Sequence, residues 1–194
     1  ITGFFQIAAK FDSITLTSSG PCDIFIAKIS NSGSWLWAVK AGGPNYDKGY
    51  GIDVDSSGNP YVSGYFEGTA TFGSTTLTSE GFQDLFIAKL SSSGSWLWAN
   101  NASSLSGMSP SSLSTDSSGN AYITGMFEGT STFGSSSLTS SGGWDIFVAK
   151  FSNSGSWLWA VNAGGSANDE GWRIAVDTSG NAYATGYFKE TATF

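Results

Sequence analysis

Gly3, Gly64, Gly125 and Gly186 recur at one constant spacing of sixty-one, and Phe11, Phe72, Phe133 and Phe194 keep the same interval. A register kept without one insertion marks a tandem repeat, and tandem units bury their apolar faces against one another. The same spacing carries Asp23, Asp84 and Asp145, then Lys28, Lys89 and Lys150. It also carries the pairs Trp35 and Trp37, Trp96 and Trp98, Trp157 and Trp159. Three periods and a short remainder fill the 194-residue chain.

Each period reads as two hairpins. In the first, alternating residues around Gly51–Asp55 and Asn59–Phe66 flank Ser56-Ser57-Gly58, a three-residue turn closed by a glycine in the left-handed region. Gly58, Gly119 and Gly180 are the expected turn-closing bulge residues. The second hairpin runs from Asp84–Lys89 through Ser91-Ser92-Ser93-Gly94 into Ser95–Ala99. Between them, residues 67–82 allow an extra short hairpin or an extended crossing.

Composition agrees with an all-β chain. Gly supplies 26 residues and aromatics 15%, while charged residues make up only 12%, too apolar and aromatic a balance for disorder. The expected fold is a β-propeller of four-stranded antiparallel blades, about three blades of a larger ring. The blades fall near 1–44 (partial), 45–105, 106–166 and 167–194 (partial). A β-solenoid is the alternative; its coils are usually shorter and lack paired hairpin turns. The two ends repeat the same strand, so the chain is expected to be a fragment of a longer propeller, or to close a ring with other copies.

Three submotifs recur in order. One copy reads Asp116-Ser117-Ser118-Gly119-Asn120-Ala121-Tyr122-Ile123-Thr124-Gly125-Met126-Phe127, then Asp145-Ile146-Phe147-Val148-Ala149-Lys150, then Gly155-Ser156-Trp157-Leu158-Trp159-Ala160. This pattern resembles the bacterial β-propeller repeat family known as SBBP over the whole chain. The resemblance implies a propeller in a secreted or surface-attached prokaryotic protein, with no shared catalytic residues. The second period departs from the pattern. Ser103-Ser104 replaces Gly42-Gly43 and Gly164-Gly165, Met108 replaces Asp47 and Asp169, and Pro110 replaces Gly49 and Gly171, so a loop of different shape is expected there.

Charge and residue types narrow the function. A net charge of −7 disfavours a nucleic-acid binder, because phosphate affinity rests on clustered Lys and Arg. Without histidine and with Cys22 the single cysteine, zinc sites, Cys/His pairs and Ser-His-Asp triads cannot be assembled from these residues. Acid and base recur in every period, which points to construction rather than one active site. No enzymatic role and no cofactor or metal site is expected. Asp55, Asp116 and Asp177 read as turn-capping residues in preference to calcium ligands, since each loop offers few carboxylates. Asp47 and the pair Asp169-Glu170 read as solvated loop charge, with a weak cation site the sharper reading.

In each Trp-Leu-Trp triplet, strict alternation places both indoles on one face and the leucine on the other. Blade-to-blade packing is the first reading, a sugar-stacking surface the second. Trp144 and Trp172 break the repeat and are the candidate ligand-binding residues. Asn101-Ala102-Ser103 is an isolated glycosylation sequon. The expected function is a noncatalytic extracellular or cell-surface module, structural, adhesive or protein-interacting. A carbohydrate-binding propeller is the alternative, and an enzyme with its centre in other blades the third reading. The expected partners are the remaining blades, in the same chain or another copy, and cell-surface proteins or glycans. Neither nucleic acid nor a membrane span is expected.

Overall fold

The computed structural model describes residues 1–194. All secondary structure is β, and every strand ladder is antiparallel, which removes the parallel coils of a solenoid. The strands fall into four consecutive units. Unit I comprises β1 (Thr2–Phe5), the hairpin β2 (Ala8–Phe11) and β3 (Ile14–Thr17), β4 (Asp23–Ile29) and β5 (Trp35–Ala41). Unit II comprises β6 (Asp47–Val54), β7 (Pro60–Phe66), the hairpin β8 (Thr69–Phe72) and β9 (Thr75–Thr78), β10 (Asp84–Leu90) and β11 (Trp96–Ser104). Unit III comprises β12 (Met108–Thr115), β13 (Ala121–Phe133), β14 (Ser136–Phe151) and β15 (Trp157–Gly165). Unit IV comprises β16 (Glu170–Val176), β17 (Ala182–Tyr187) and the short β18 (Ala192–Thr193).

Units II and III are four-stranded meanders. Their strands pair in chain order, β6-β7-β10-β11 and β12-β13-β14-β15. Unit I supplies three such strands, β1-β4-β5, and unit IV two, β16-β17. A meander needs only short turns, and the Gly/Ser turns here supply them.

Residues 67–82, left open between hairpin and crossing, form the hairpin β8–β9. It closes on its own unit through Phe72, whose ring lies 4.9 Å from Phe86 and 5.4 Å edge-on from Trp96. Phe11 repeats this with Phe25 and Trp35, and Phe133 with Phe147 and Trp157. The recurring phenylalanine of the repeat is therefore a clamp. The hairpin also reaches the preceding unit: Gly42 and Thr71 exchange backbone hydrogen bonds of 3.2 and 3.0 Å, and Ser103 pairs with Thr132 in the equivalent place. That bridge joins neighbouring meanders and accounts for a period longer than the ~40–50 residues of common propeller repeats. This pairing is unchanged in the second period, but the loop there differs as expected, Gly107 taking a φ of 131° where Tyr46 and Asn168 of the other periods do not.

The core consists of seams between units. Along β10, Phe86, Ala88 and Leu90 join Ile24, Ile26 and Phe66 in one buried cluster, while Leu85 and Ile87 join Phe127, Phe133 and Phe147 in the next. Every residue of β7 and β10 is buried, as expected when a sheet is covered on both faces and its strands read as near-continuous apolar runs. Full burial of one such Phe or Ile contributes roughly 1.5–3 kcal/mol. Trp159, at the edge of unit III, is 36% exposed, and all of β17 is exposed.

The Trp-Leu-Trp expectation needs correction. Trp96 packs into the seam with unit I and Trp98 into the seam with unit III, so the two indoles leave the strand on opposite faces. The cause is a bulge: Lys89 pairs with Trp98 and Leu90 with Trp96, so one extra residue, Leu97, breaks the alternation and points to solvent. The same shift occurs at Leu36 and Leu158.

Candidate interaction surface and its seams

The turn after the first strand of units II, III and IV is built by one carboxylate. Asp55 Oδ1 accepts the backbone N–H groups of Ser57 and Asn59, both at 2.9 Å, and Asn59 Nδ2 donates to Oδ2 at 3.2 Å. Asp116 and Asp177 repeat the set with Ser118 and Asn120, and with Ser179 and Asn181. Gly58, Gly119 and Gly180 close these turns at φ of 79°, 76° and 81°, each donating its N–H to the aspartate carbonyl. The left-handed conformation explains the glycine. Carboxylates engaged by their own loop in this way form Asx turns, and the calcium-loop reading loses its donors.

Lysines from the third strand lock onto the turns. Lys89 Nζ sits 3.0 Å from Asp55 Oδ2, with both side chains nearly buried, and 4.6 Å above the Tyr61 ring. Lys150 repeats this with Asp116 at 3.6 Å and the Tyr122 ring at 4.6 Å. The acid and base of each third strand, such as Asp84 and Lys89, stand at its two ends and do not pair. Desolvation opposes charge on Asp55, yet the Asn59 N–H and Lys89 outweigh it and hold the carboxyl below its ordinary range. Lys89 is also lost from water, but its bonds to Tyr61 and Asp55 raise its affinity for a proton.

The seams between units I and II and between units II and III are sealed by the turn of the following unit. Ser92 O accepts from Trp37 Nε1 at 3.1 Å and from Lys28 Nζ at 3.2 Å. Asn153 Oδ1 accepts from Tyr61 OH at 2.8 Å and Lys89 Nζ at 2.6 Å, while Tyr61 OH also reaches Gly119 O at 2.7 Å. At the seam between units III and IV, Asp116, Asn120, Lys150 and Gly180 line an open polar pocket of about 260 Å³. Spacing alone gave no sign that these turns cross between units.

The exposed aromatic surface arises from a second bulge. The first strands of units II, III and IV shift register at Tyr50, Ser111 and Trp172, which turns these side chains away from the ladder. Trp172 is 49% exposed and stacks on Tyr187 at 6.2 Å with ring planes 10° apart, its Nε1 donating to Glu170 at 3.0 Å. Tyr50 and Tyr65 make the equivalent pair at 5.9 Å. Trp144 lies apart from this pair, within β14, half-buried, where its backbone accepts the Asp169 N–H and its ring approaches Gly107. The structure does not bring the two candidate tryptophans together in one pocket. Asn101 of the sequon lies within β11, with its side chain 3.3 Å from Asp84.

Comparison with known proteins bears on this architecture. Residues 36–65 match the SBBP family model, a beta-propeller repeat. The matched segment runs from β5 through β7, so it spans a seam, and its counterparts recur one period further along the chain. The resemblance read from the motifs agrees with that match. The chain is also 25% identical over 203 residues to an uncharacterized WD repeat-containing protein of Acanthamoeba polyphaga mimivirus, covering 86% of the chain. It spans 14% of that relative's length.

Proposed function

We propose that the chain is part of a noncatalytic β-propeller that serves as an extracellular or cell-surface module for protein interaction. The observation carrying this reading is that both faces of the unit II meander are covered by neighbouring units, so partners meet there only turns and bulge-exposed side chains. The recurring Asp, Lys and Tyr groups are engaged within the turns and seams, and none is held apart as an acid–base or nucleophilic centre. The SBBP match and the WD-repeat relative support the propeller architecture in which radial sheets display such surfaces. The exposed edge of β17 and the open pocket beside Lys150 fit further units, from the same chain or another copy.

One observation favours carbohydrate as a partner: the parallel, exposed Trp172–Tyr187 pair offers a flat apolar platform. A glycan array and a panel of cell-surface proteins, probed with the chain and with its Trp172→Ala variant, separate the readings. Binding to proteins that survives Trp172→Ala supports the interaction module; glycan binding abolished by it supports the lectin reading. Turnover of a substrate by the chain would overturn both.

A further inference from the structure

Two places in the molecule hold paired, fully buried carboxyl groups. Asp23 and Asp47 meet beside Gly42; Asp145 borders Gly164 in the equivalent place, and Asp169 stands where Asp47 does, accepting from Gly165 N as Asp47 accepts from Gly43 N, all four residues having no solvent exposure. A side chain at Gly42 would lie 2.8 Å from Asp23 Cγ and 2.9 Å from Asp47 Oδ2, so both carboxyls border the space that glycine leaves. Two adjacent ionised carboxylates without water are strongly disfavoured.

Hydrogen bonding leaves each pair short of a donor. Asp23 Oδ2 accepts from Ser19 N at 3.0 Å and Lys40 Nζ at 2.7 Å, and Asp47 Oδ2 from Gly43 N at 2.7 Å. Asp145 Oδ2 accepts from Ser141 N at 2.9 Å, and Asp169 from Gly165 N at 2.8 Å and Lys189 N at 2.9 Å. Asp23 Oδ1 and Asp145 Oδ1 are buried without a partner, and Asp47 Oδ1 is buried with only the Glu67 backbone N–H facing the carboxyl, outside full hydrogen-bond geometry.

Unit II provides an internal control. There Met108 stands where Asp47 and Asp169 stand, and Asp84 keeps no unpartnered oxygen: Oδ1 accepts from Ser104 N at 2.9 Å, and Oδ2 from Glu80 N and Asn101 Nδ2. The second aspartate, where present, takes the N–H that Asp84 receives in unit II. Orphaned carboxyl oxygens therefore appear only where two carboxyls meet.

We propose that each of the pairs Asp23–Asp47 and Asp145–Asp169 holds one shared proton, as a carboxylic acid hydrogen-bonded to a carboxylate, and that this proton is part of the seam between units. One proton supplies the missing donor and removes one of two like charges. Around the first pair stand Cys22, Lys40 on β5, Lys48 on β6, and Tyr65 and Glu67 at the end of β7. Only Lys40 among them is ion-paired to the pair, leaving a net negative site once both acids ionise. At the second pair Asn162 takes the place of Lys40 and donates instead to Thr139 O, and no cation pairs with either acid. Burial, with the neighbouring Asp23 adding to it, pushes Asp47 up to about 7, and burial with Asp169 beside it raises Asp145.

Carboxyl carbon NMR of the aspartate-labelled chain, titrated from acid to alkaline pH, tests this. Two coupled titrations above the ordinary carboxylate range are expected, one for each pair; Asp47→Asn removes the first and Asp169→Asn the second, and asparagine keeps a donor in the shared position. All four carboxyls ionising within the ordinary carboxylate range would overturn the proposal. So would a calcium addition that shifts these resonances at constant pH, since the neutralising charge would then be a metal ion. The wild-type titration decides the matter even where a variant fails to fold.

Discussion

Truncation of repeat-equivalent tryptophans should not cost the same. Trp98 lies 5.7 Å edge-on from Tyr61 of its own unit and 5.2 Å from Phe151 of the next, and is packed into the buried cluster between units II and III. Trp159 keeps the first contact, with Tyr122 at 6.0 Å, and is 36% exposed. Large-to-small changes at buried aromatics cost about 3–5 kcal/mol, and an aromatic pair adds about 0.5–1.5 kcal/mol beyond burial. Trp98, being partly buried, belongs near the low end, at about 3 kcal/mol, and Trp159 nearer 1 kcal/mol. For a chain of this length each kcal/mol moves the melting temperature by about 2–4 °C, so Trp98→Ala should lower it by about 9 °C and Trp159→Ala by about 3 °C. Thermal unfolding followed by far-ultraviolet circular dichroism measures both. Equal shifts would refute the reasoning, because they would mean that the neighbouring unit contributes nothing to the indole's environment.

Further outcomes follow from the same geometry. Lys89→Met leaves Asp55 buried without its partner and should cost about 3 kcal/mol by urea denaturation, whereas Lys28→Met, whose Nζ meets only the Ser92 carbonyl at an exposed site, should cost under about 1 kcal/mol. Gly43→Ala would put a methyl group onto the Thr69 carbonyl, while Gly33→Ala meets open space and only the strain of φ 85°; the first should be the more destabilising in the same assay. Stability should fall on both sides of an acidic optimum. Asp55 and Asp116, held below the ordinary carboxylate range, stabilise the fold above about pH 4 and lose that contribution as acid protonates them. Asp47, raised to about 7, has the opposite sign: the folded chain binds a proton that the unfolded chain releases near pH 4, so its contribution declines from there until it ionises. Melting temperatures across the pH range should show the decline between about pH 4 and pH 7 reduced in Asp47→Asn, and an unchanged decline would contradict that assignment.

The repeat period, the two hairpins per unit, the Asx turns with their left-handed glycines and the lack of a histidine-based site were legible in the sequence, because each depends on spacing or on local backbone chemistry. Residue types told less about which groups meet. Alternation put Trp96 and Trp98 on one face, and only the ladder register revealed the bulge at Leu97 that sends them into different seams. Asp84 and Lys89 recur together in every period; the strand places them at opposite ends, and the lysine finds Asp55 across two strands. Trp144 and Trp172 stood out equally as departures from the repeat, yet one is a half-buried strand residue and the other an exposed bulge residue. Asp47 read as solvated loop charge, whereas the hairpin of its own unit and the glycines of the preceding one enclose it beside Asp23. The sequence by itself determined the repeating unit, since turns and alternation act over a few neighbours. The tertiary structure decided the seams, since burial, carboxyl pairing and indole environment depend on the unit that arrives one full period later.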